Sequence, residues 1–331
     1  MKKLINGVET ILDESLDGFA AAHADIVTLG EGRRFVRRRT LSPGKVALIS
    51  GGGSGHEPLH VGFVGRGMLD AACPGQVFTS PTPDQMVEAI AAVDTGAGCL
   101  LIVKNYEGDV MNFEMAGEMV REAGGRQVAT VLTDDDVAVP TSTWSAGRRG
   151  VAGTLVVEKI VGAAAEQSLG LAELAALGRQ VNARTRSMGV ALTSCTVPAA
   201  GKPTFELGAD EMELGVGIHG EPGRKRAKLA TADAIAEALL GAIIADLAPI
   251  TGTECLLLVN GFSGTPLMEL YLMVNAARRI LIGRGLRVTR YLTGSYVTSL
   301  DMAGCSLTVS LLDERTQALW DAPVTTAALC W

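Results

Sequence analysis

Three short apolar runs, each followed at once by a glycine-rich or polar cluster, constrain the fold of this chain more than any other feature. The runs cover residues 45–50, 98–103 and 127–132, and the clusters after them begin at Gly51, Lys104 and Thr133. Helical patterns separate the runs. Strands that alternate with helices predict a parallel sheet with helices on its faces. Because such sheets bind ligands beyond the carboxyl ends of their strands, the three clusters mark a candidate site.

The composition suits a sheet of this kind. Hydrophobic residues make up 47% of the chain and aromatic residues only 4%, so the core is built mainly from Ala, Val, Leu and Ile. The formal net charge of −7 argues against a nucleic-acid or membrane-surface partner. No stretch approaches the roughly 18–20 apolar residues of a membrane helix, and no cysteine pair has zinc-ribbon spacing. We therefore expect a cytoplasmic chain.

The second half of the chain has more antiparallel character. Alternating apolar residues at Met212, Leu214, Val216 and Ile218 predict a half-buried strand that ends at His219. The sequence thus predicts two α/β domains, residues 1–183 and 184–331. The first has a mainly parallel sheet flanked by helices, and the second has a mixed sheet covered by helices.

The first candidate loop runs from Gly51 to His56 and contains four glycines. Glycines allow positive φ angles and close approach of the backbone to a ligand. The loop lacks the lysine of a P-loop, and His56 stands where the Rossmann pattern needs its third glycine. It is therefore predicted not to hold a nucleotide, and a tight turn with incidental glycines is the alternative.

Four side chains near these loops could carry chemistry. His56 and His60 could share a helical face and bind zinc, although Pro58 interrupts the usual spacing. Lys104 could bind a hydroxyl or an anion, and Asp109 could accept a proton from a substrate hydroxyl. The alternative for Asp109 is a helix cap.

Two further clusters lie later in the chain. His219 stands between glycines, where an open, mostly neutral imidazole could act as a nucleophile, although a structural role is the usual one for a lone histidine. Asp134, Asp135 and Asp136 could bind Mg²⁺. The favoured interpretation is that these acids cap the next helix and pair with Arg148 and Arg149.

The chain resembles the K subunits of dihydroxyacetone kinases over nearly its whole length. The resemblance is carried by long motifs in the order of that family: residues 51–58 (GGGSGHEP), 104–106 (KNY), 134–139 (DDDVAV) and 215–222 (GVGIHGEP), with further matches at 78–83, 195–198, 298–302 and 319–323. The resemblance implies a subunit that binds a short-chain ketone.

The resemblance also assigns roles to residues. It implies that His219 bonds covalently to the substrate carbonyl as a hemiaminal, and that His56 and Asp109 activate the hydroxyl that takes the phosphoryl group. It further implies a substrate-binding set of Gly53, Ser54, Gly55, His56, Lys104 and Asp109. A carbonyl-specific bond would exclude glycerol, which lacks a carbonyl.

The resemblance implies that this chain binds no cofactor or metal itself. ADP or ATP with Mg would reside on a separate L-type subunit, served in some systems by a phosphotransferase-system M protein, and the chain would be a homodimer. Two alternatives keep the fold: a kinase subunit for a four-carbon ketose such as erythrulose, and a ketone-sensing regulatory paralogue. A third is a metal-dependent hydrolase that uses His56, His60 and residues 134–136.

Overall fold

A computed structural model describes residues 2–139 and 145–331 of the chain. Helices and strands alternate through much of it. The helices are α1 (Ile11–Ala22), α2 (Pro83–Val93), α3 (Glu107–Glu122), α4 (Gly153–Glu166), α5 (Leu171–Ala183), α6 (Ala232–Leu247), α7 (Leu267–Gly283) and α8 (Glu314–Asp321). Among the described residues, no helix combines the length and the apolar character that crossing a membrane requires.

The strands form two six-stranded sheets and a small two-stranded one. They are β1 (Val27–Leu29), β2 (Val36–Arg38), β3 (Ala47–Ser54), β4 (Gly65–Arg66), β5 (Ala71–Val77), β6 (Cys99–Lys104), β7 (Val128–Thr133), β8 (Thr185–Ala191), β9 (Glu211–Leu214), β10 (Lys225–Lys228), β11 (Glu254–Gly261), β12 (Arg287–Gly294), β13 (Gly304–Leu312) and β14 (Thr325–Thr326).

The chain divides into two compact units, each built from more than one stretch of sequence. One combines Lys2–Thr133, Val157–Gln180 and Ala318–Trp331, and the other combines Asp134–Val156 and Val181–Gln317. We call these the first and the second unit. The sequence instead predicts a single boundary between residues 183 and 184, close to where the chain enters the second unit for the second time.

The sheet of the first unit has the order β1-β2-β5-β3-β6-β7. Strands β5, β3, β6 and β7 are parallel, and β1 and β2 add an antiparallel edge. Aliphatic side chains of β3 and β6 pack against α2 and α3 in a core with few aromatic residues. The predicted parallel sheet flanked by helices is confirmed.

The sheet of the second unit has the order β10-β9-β8-β13-β11-β12 and is antiparallel except between β11 and β12. Helices α6 and α7 pack on it through apolar side chains. This is the mixed, helix-covered sheet that the sequence predicts, so the predicted fold class is confirmed.

One predicted strand in this unit is wrong at its end. Strand β9 stops at Leu214 and does not continue to His219. Gly215 has a φ of +78°, which takes the chain out of the extended conformation, and Arg224 N–H donates to Leu214 O at 2.7 Å. The chain therefore turns back into the edge strand β10.

Asp70 is the centre of a buried ion cluster in the first unit. Its carboxylate accepts from Arg38 Nη1 at 3.0 Å, from Lys45 Nζ and from the backbone N–H of Leu48 at 2.8 Å. Glu166 completes the cluster by accepting from Arg38 at 2.6 Å. Asp70 is only 2% exposed, so the two cations are shielded from water and depend on the carboxylates of this cluster for their charge compensation.

We predict that Asp70→Asn destabilises the chain by about 3–5 kcal/mol, since it leaves two buried cations with only the partly exposed Glu166 as a counter-ion. Denaturant unfolding followed by circular dichroism measures the loss. The matched control is Asp233→Asn, which removes an exposed ion pair with Arg279 and should change stability little. Equal effects of the two substitutions would contradict the assignment of Asp70 as the cluster's centre.

Candidate active site

The glycine run at the start of the first candidate loop is the end of a buried strand. Gly51, Gly52 and Gly53 all belong to β3, so the prediction that they form a loop is wrong. They are needed because neighbours approach closely: a Cβ on Gly51 would lie 2.6 Å from Cys73 O, and one on Gly53 would lie 2.6 Å from Thr79 N. Close approach, rather than positive φ, explains these three glycines.

The absence of a side chain at Gly52 makes room for Lys104. A Cβ there would overlap the Lys104 ammonium group. Lys104 is the last residue of β6 and is 1% exposed, and its Nζ donates to Asp109 Oδ2 at 3.1 Å. Since β3 and β6 are parallel neighbours, their carboxyl ends bring the lysine beside the glycine run.

Asp109 lies in the first turn of α3 and does not cap the helix. Its Oδ2 binds Lys104, whereas its buried Oδ1 has no hydrogen-bond partner among the residues that the structure describes. A buried carboxylate oxygen is a strong acceptor, and leaving it unsatisfied costs free energy. The structure therefore brings together two of the predicted site residues, Lys104 and Asp109, and only one oxygen of Asp109 is bound by the lysine.

His56 follows β3 and is completely buried, with its ring stacked on Phe78 at a centroid distance of 4.9 Å. The stacking fixes the plane of the imidazole. Ser54 is tied down as well, since its hydroxyl donates to Gly75 O at 2.7 Å. Gly55 adopts a φ of +101°, and its N–H donates to both carboxylate oxygens of Glu57.

His60 contacts the ammonium group of Lys104. The sequence suggests His60 only as a possible metal ligand. The segment between His56 and His60 is a turn and not a helix. His60 Nδ1 lies 2.7 Å from Glu158 Oε1 and 3.0 Å from Ser50 Oγ, and its Nε2 lies 3.2 Å from Lys104 Nζ. Burial and the positive charge of Lys104 hold the pKa of His60 well below its ordinary value, so the ring is neutral.

His219 lies in the second unit, in the turn that follows β9. Its Nδ1 is 2.8 Å from Glu221 Oε1, and its backbone N–H donates to Glu221 Oε2 at 3.0 Å. Glu221 is buried, yet the charges of His219 and Arg149 and these hydrogen bonds outweigh its desolvation and lower its pKa to about 2. An ionised carboxylate only accepts, so His219 donates from Nδ1, and in the neutral tautomer of the ring Nε2 is the nitrogen with the lone pair.

The acidic run after β7 behaves as the favoured interpretation has it. Asp135 accepts from the backbone N–H groups of Val151 and Gly153 at the start of α4, and Asp136 binds Arg149 at 2.7 Å. Arg149 also donates to Gly215 O at 2.7 Å, which braces the turn before His219. Within residues 2–139 and 145–331, no group of three or more potential ligands could hold a metal ion.

Sequence reasoning missed two carboxylates that orient histidines. Glu158 interrupts the otherwise apolar run of α4, and an acid within such a run is a usable signal of a buried partner. Glu221 lies two residues after His219 within a motif that was already recognised. His56, Lys104 and Asp109 belong to the first unit, and His219 belongs to the second.

These observations define a class of protein. It is an α/β chain with a buried lysine–aspartate pair at the carboxyl end of a parallel strand and a separate histidine whose tautomer is set by a carboxylate. Comparison with known proteins narrows this class. The model of the Dak1 domain family matches residues 17–328. The chain therefore belongs to the Dak1 family, the family of dihydroxyacetone kinases and their dihydroxyacetone-binding subunits.

Three similar proteins represent this family. The "PTS-dependent dihydroxyacetone kinase 1, dihydroxyacetone-binding subunit DhaK" of Listeria innocua is 51% identical over 99% of this chain and 100% of its own length. The dihydroxyacetone kinase from C. freundii, solved with AMP-PNP and Mg²⁺, has a TM-score of 0.91 and 36% identity, and covers 98% of this chain and 60% of its own. A "Dihydroxyacetone kinase operon co-activator Dha-DhaQ" has a TM-score of 0.90 and 34% identity, over 95% of this chain and 97% of its own.

The Glu221 carboxylate should make stability depend on pH. Its pKa in the folded chain, about 2, lies below the ordinary value of 4.5, so its contribution is present above pH 4.5 and is lost as the pH falls towards 2. We predict that Glu221→Gln is less stable than the native chain at neutral pH, by up to roughly 3 kcal/mol. The difference should shrink between these two pH values.

Urea unfolding at a series of pH values measures this difference. Glu237→Gln, which alters an exposed ion pair with Arg284, is the matched control and should show little pH-dependent change. A Glu221→Gln difference that stays constant down to the acid limit would refute the assigned role of the carboxylate.

Proposed function

We propose that the chain is the dihydroxyacetone-binding subunit of a dihydroxyacetone kinase, which presents a hydroxyl of the ketone for phosphoryl transfer and yields dihydroxyacetone phosphate. The observation that carries the proposal is the hydrogen bond from His219 Nδ1 to the ionised Glu221, which makes Nε2 the nucleophilic nitrogen of the neutral ring. The 51% identity to a subunit whose name states that it binds dihydroxyacetone supports the choice of ketone.

The covalent step is nucleophilic addition to C2 of the ketone. The lone pair of His219 Nε2 forms the new bond to carbon, and the π electrons of the carbonyl move to its oxygen, which takes up a proton. The positive charge that develops on the ring is stabilised by Glu221, which lies 2.8 Å from Nδ1. The ring then releases its Nδ1 proton, which balances the proton taken up by the carbonyl oxygen and leaves a neutral hemiaminal. Glycerol has no carbonyl, so it cannot form this bond.

Proton removal from the substrate hydroxyl is assigned to Asp109 with the help of His56. The available oxygen of Asp109 is Oδ1, because Oδ2 is held by Lys104. Gly53, Ser54 and Gly55 would contribute backbone contacts to the substrate, and Lys104 would contribute its charge.

The nucleotide is assigned to a separate L-type subunit. This chain matches 60% of the kinase solved with AMP-PNP and Mg²⁺, whereas it matches the whole length of the dihydroxyacetone-binding subunit of Listeria innocua. We propose that an ADP or ATP with Mg occupies a separate partner subunit and that a phosphotransferase-system M protein recharges it. The name of the Listeria innocua relative, which calls its kinase PTS-dependent, supports a phosphotransferase-system source. The proposed subunit is a cytoplasmic homodimer.

A regulatory role is the second candidate, because the chain is also similar to an operon co-activator. The presence of His56 and of the Lys104–Asp109 pair favours catalysis over sensing alone. A panel of three- and four-carbon ketoses, assayed with the cognate nucleotide-binding subunit, separates the two roles and also separates dihydroxyacetone from erythrulose.

We predict that His219→Ala abolishes the covalent adduct with dihydroxyacetone, because no other imidazole replaces the Nε2 nucleophile. Intact-protein mass spectrometry under non-denaturing conditions detects the adduct as added mass. His23→Ala, which changes a histidine whose ring contacts Phe19 at the surface of α1, should keep it. An adduct that survives in His219→Ala would show that the nucleophile is elsewhere.

We predict that Asp109→Asn keeps the adduct and loses phosphoryl transfer by at least roughly a hundredfold, since an amide cannot accept the hydroxyl proton. The rate is measured with the nucleotide-loaded partner subunit and dihydroxyacetone. Glu107→Gln, which alters an exposed carboxylate in the same helical turn, is the control and should remain active. An active Asp109→Asn variant would exclude Asp109 as the base.

A further inference from the structure

The buried Lys104 ammonium has one acceptor for each of its three N–H groups. These are Asp109 Oδ2 at 3.1 Å, His60 Nε2 at 3.2 Å and Gly51 O at 3.4 Å. An ammonium group only donates, so His60 Nε2 must face it with a lone pair. The lysine therefore dictates the tautomer of His60: the proton of the ring is on Nδ1.

The groups on the other side of His60 agree with this tautomer. Ser50 donates its hydroxyl proton to Ile102 O at 2.7 Å, so its oxygen is free to accept from Nδ1–H. Glu158 Oε1 lies nearer, at 2.7 Å, and is the main acceptor. Burial raises the pKa of Glu158 to about 8. Because His60 is neutral, its contact with Glu158 is a hydrogen bond and not an ion pair, and Oε1 accepts in either charge state of the carboxyl.

We propose that His60, held by Glu158, is a positioning residue that fixes the Lys104 ammonium against Asp109 and thereby leaves Asp109 Oδ1 as the proton acceptor. The chain of contacts runs from Glu158 through His60 and Lys104 to Asp109, and all four side chains are at most 5% exposed. The inference rests on the proposed function for its effect on catalysis. Its geometry stands without that function.

The physical reason for such a device lies in the lysine side chain. Four rotatable bonds separate Nζ from the backbone. Gly52, beside the ammonium group, has no side chain that could hold Nζ in place. Without the His60 lone pair, one N–H of a buried ammonium would lack an acceptor, which is unfavourable enough to move the group. Once Lys104 moves, Asp109 Oδ2 loses its partner and the two oxygens of the base are no longer distinguished. A misplacement of a catalytic group by about 1 Å can slow a reaction by about a hundredfold.

Two substitutions of His60 separate its two ring nitrogens. Asparagine places its amide near the position of Nδ1, so His60→Asn keeps a donor for Glu158 and loses the acceptor for Lys104. Glutamine reaches the position of Nε2, so His60→Gln can offer an oxygen to Lys104. We predict that kcat for phosphoryl transfer falls about tenfold to a hundredfold in His60→Asn with a smaller change in KM, and is largely restored in His60→Gln. The covalent adduct on His219 should form in both variants.

A spectroscopic measurement tests the geometry without any assay of activity. In the native chain, NMR of isotope-labelled imidazole nitrogens should show His60 as the neutral tautomer protonated at Nδ1. A proton on Nε2, or a doubly protonated ring at neutral pH, would overturn the proposal even if no ketone were phosphorylated. A native kcat in a folded His60→Asn variant would overturn it also. Failure of the native chain to phosphorylate any ketose would instead refute the proposed function and leave the tautomer to decide the positioning role.

Discussion

The structure of the candidate site depends on one buried ion pair, that between Lys104 and Asp109. Lys104 is the last residue of strand β6, and Asp109 lies in the first turn of helix α3, which follows that strand. A charge at such depth is tolerated only with partners at hydrogen-bond distance. The glycine run of β3 provides the space for the ammonium, and His60 provides its third acceptor.

The second unit solves a similar problem with a different pair. There the buried Glu221 sets the tautomer of His219, and its interactions with His219 and, to a smaller extent, Arg149 keep the carboxylate ionised. Arg149 is itself buried and held by Asp136, so the acidic run after β7 supports the turn that carries the histidine. In the second unit a buried carboxylate fixes which nitrogen of the histidine carries the proton, whereas in the first unit Lys104 does so and Glu158 accepts from the other nitrogen. The nitrogen left with a lone pair faces either Lys104 or, in the proposed function, the ketone.

Much of the fold follows from the sequence, because apolar runs that alternate with helical patterns report burial directly. The helical patterns predicted between the apolar runs correspond to α2 and α3, and the predicted order of a parallel and then a mixed sheet is correct. The sequence predicts a loop at the glycine run because glycine is rare in strands. The run forms a strand because close neighbours leave no space for a Cβ, and the sequence alone does not show those neighbours. The strand leading to His219 is predicted too long because the alternation of apolar residues continues beyond Gly215. The positive φ of Gly215 ends the extended backbone there.

The partners of the site residues were less predictable than the residues themselves. His219, Lys104 and Asp109 stand out in the sequence because they follow strands or glycines, whereas Glu158 and Ser50 come from distant positions that only the tertiary structure brings to His60. The central claim is that His219 holds the ketone as a tetrahedral adduct. NMR of dihydroxyacetone labelled at C2 and bound to the native chain tests it most directly. The account predicts that the ketone carbonyl signal is replaced by that of a tetrahedral carbon, while a bound ligand that keeps its carbonyl signal would contradict it.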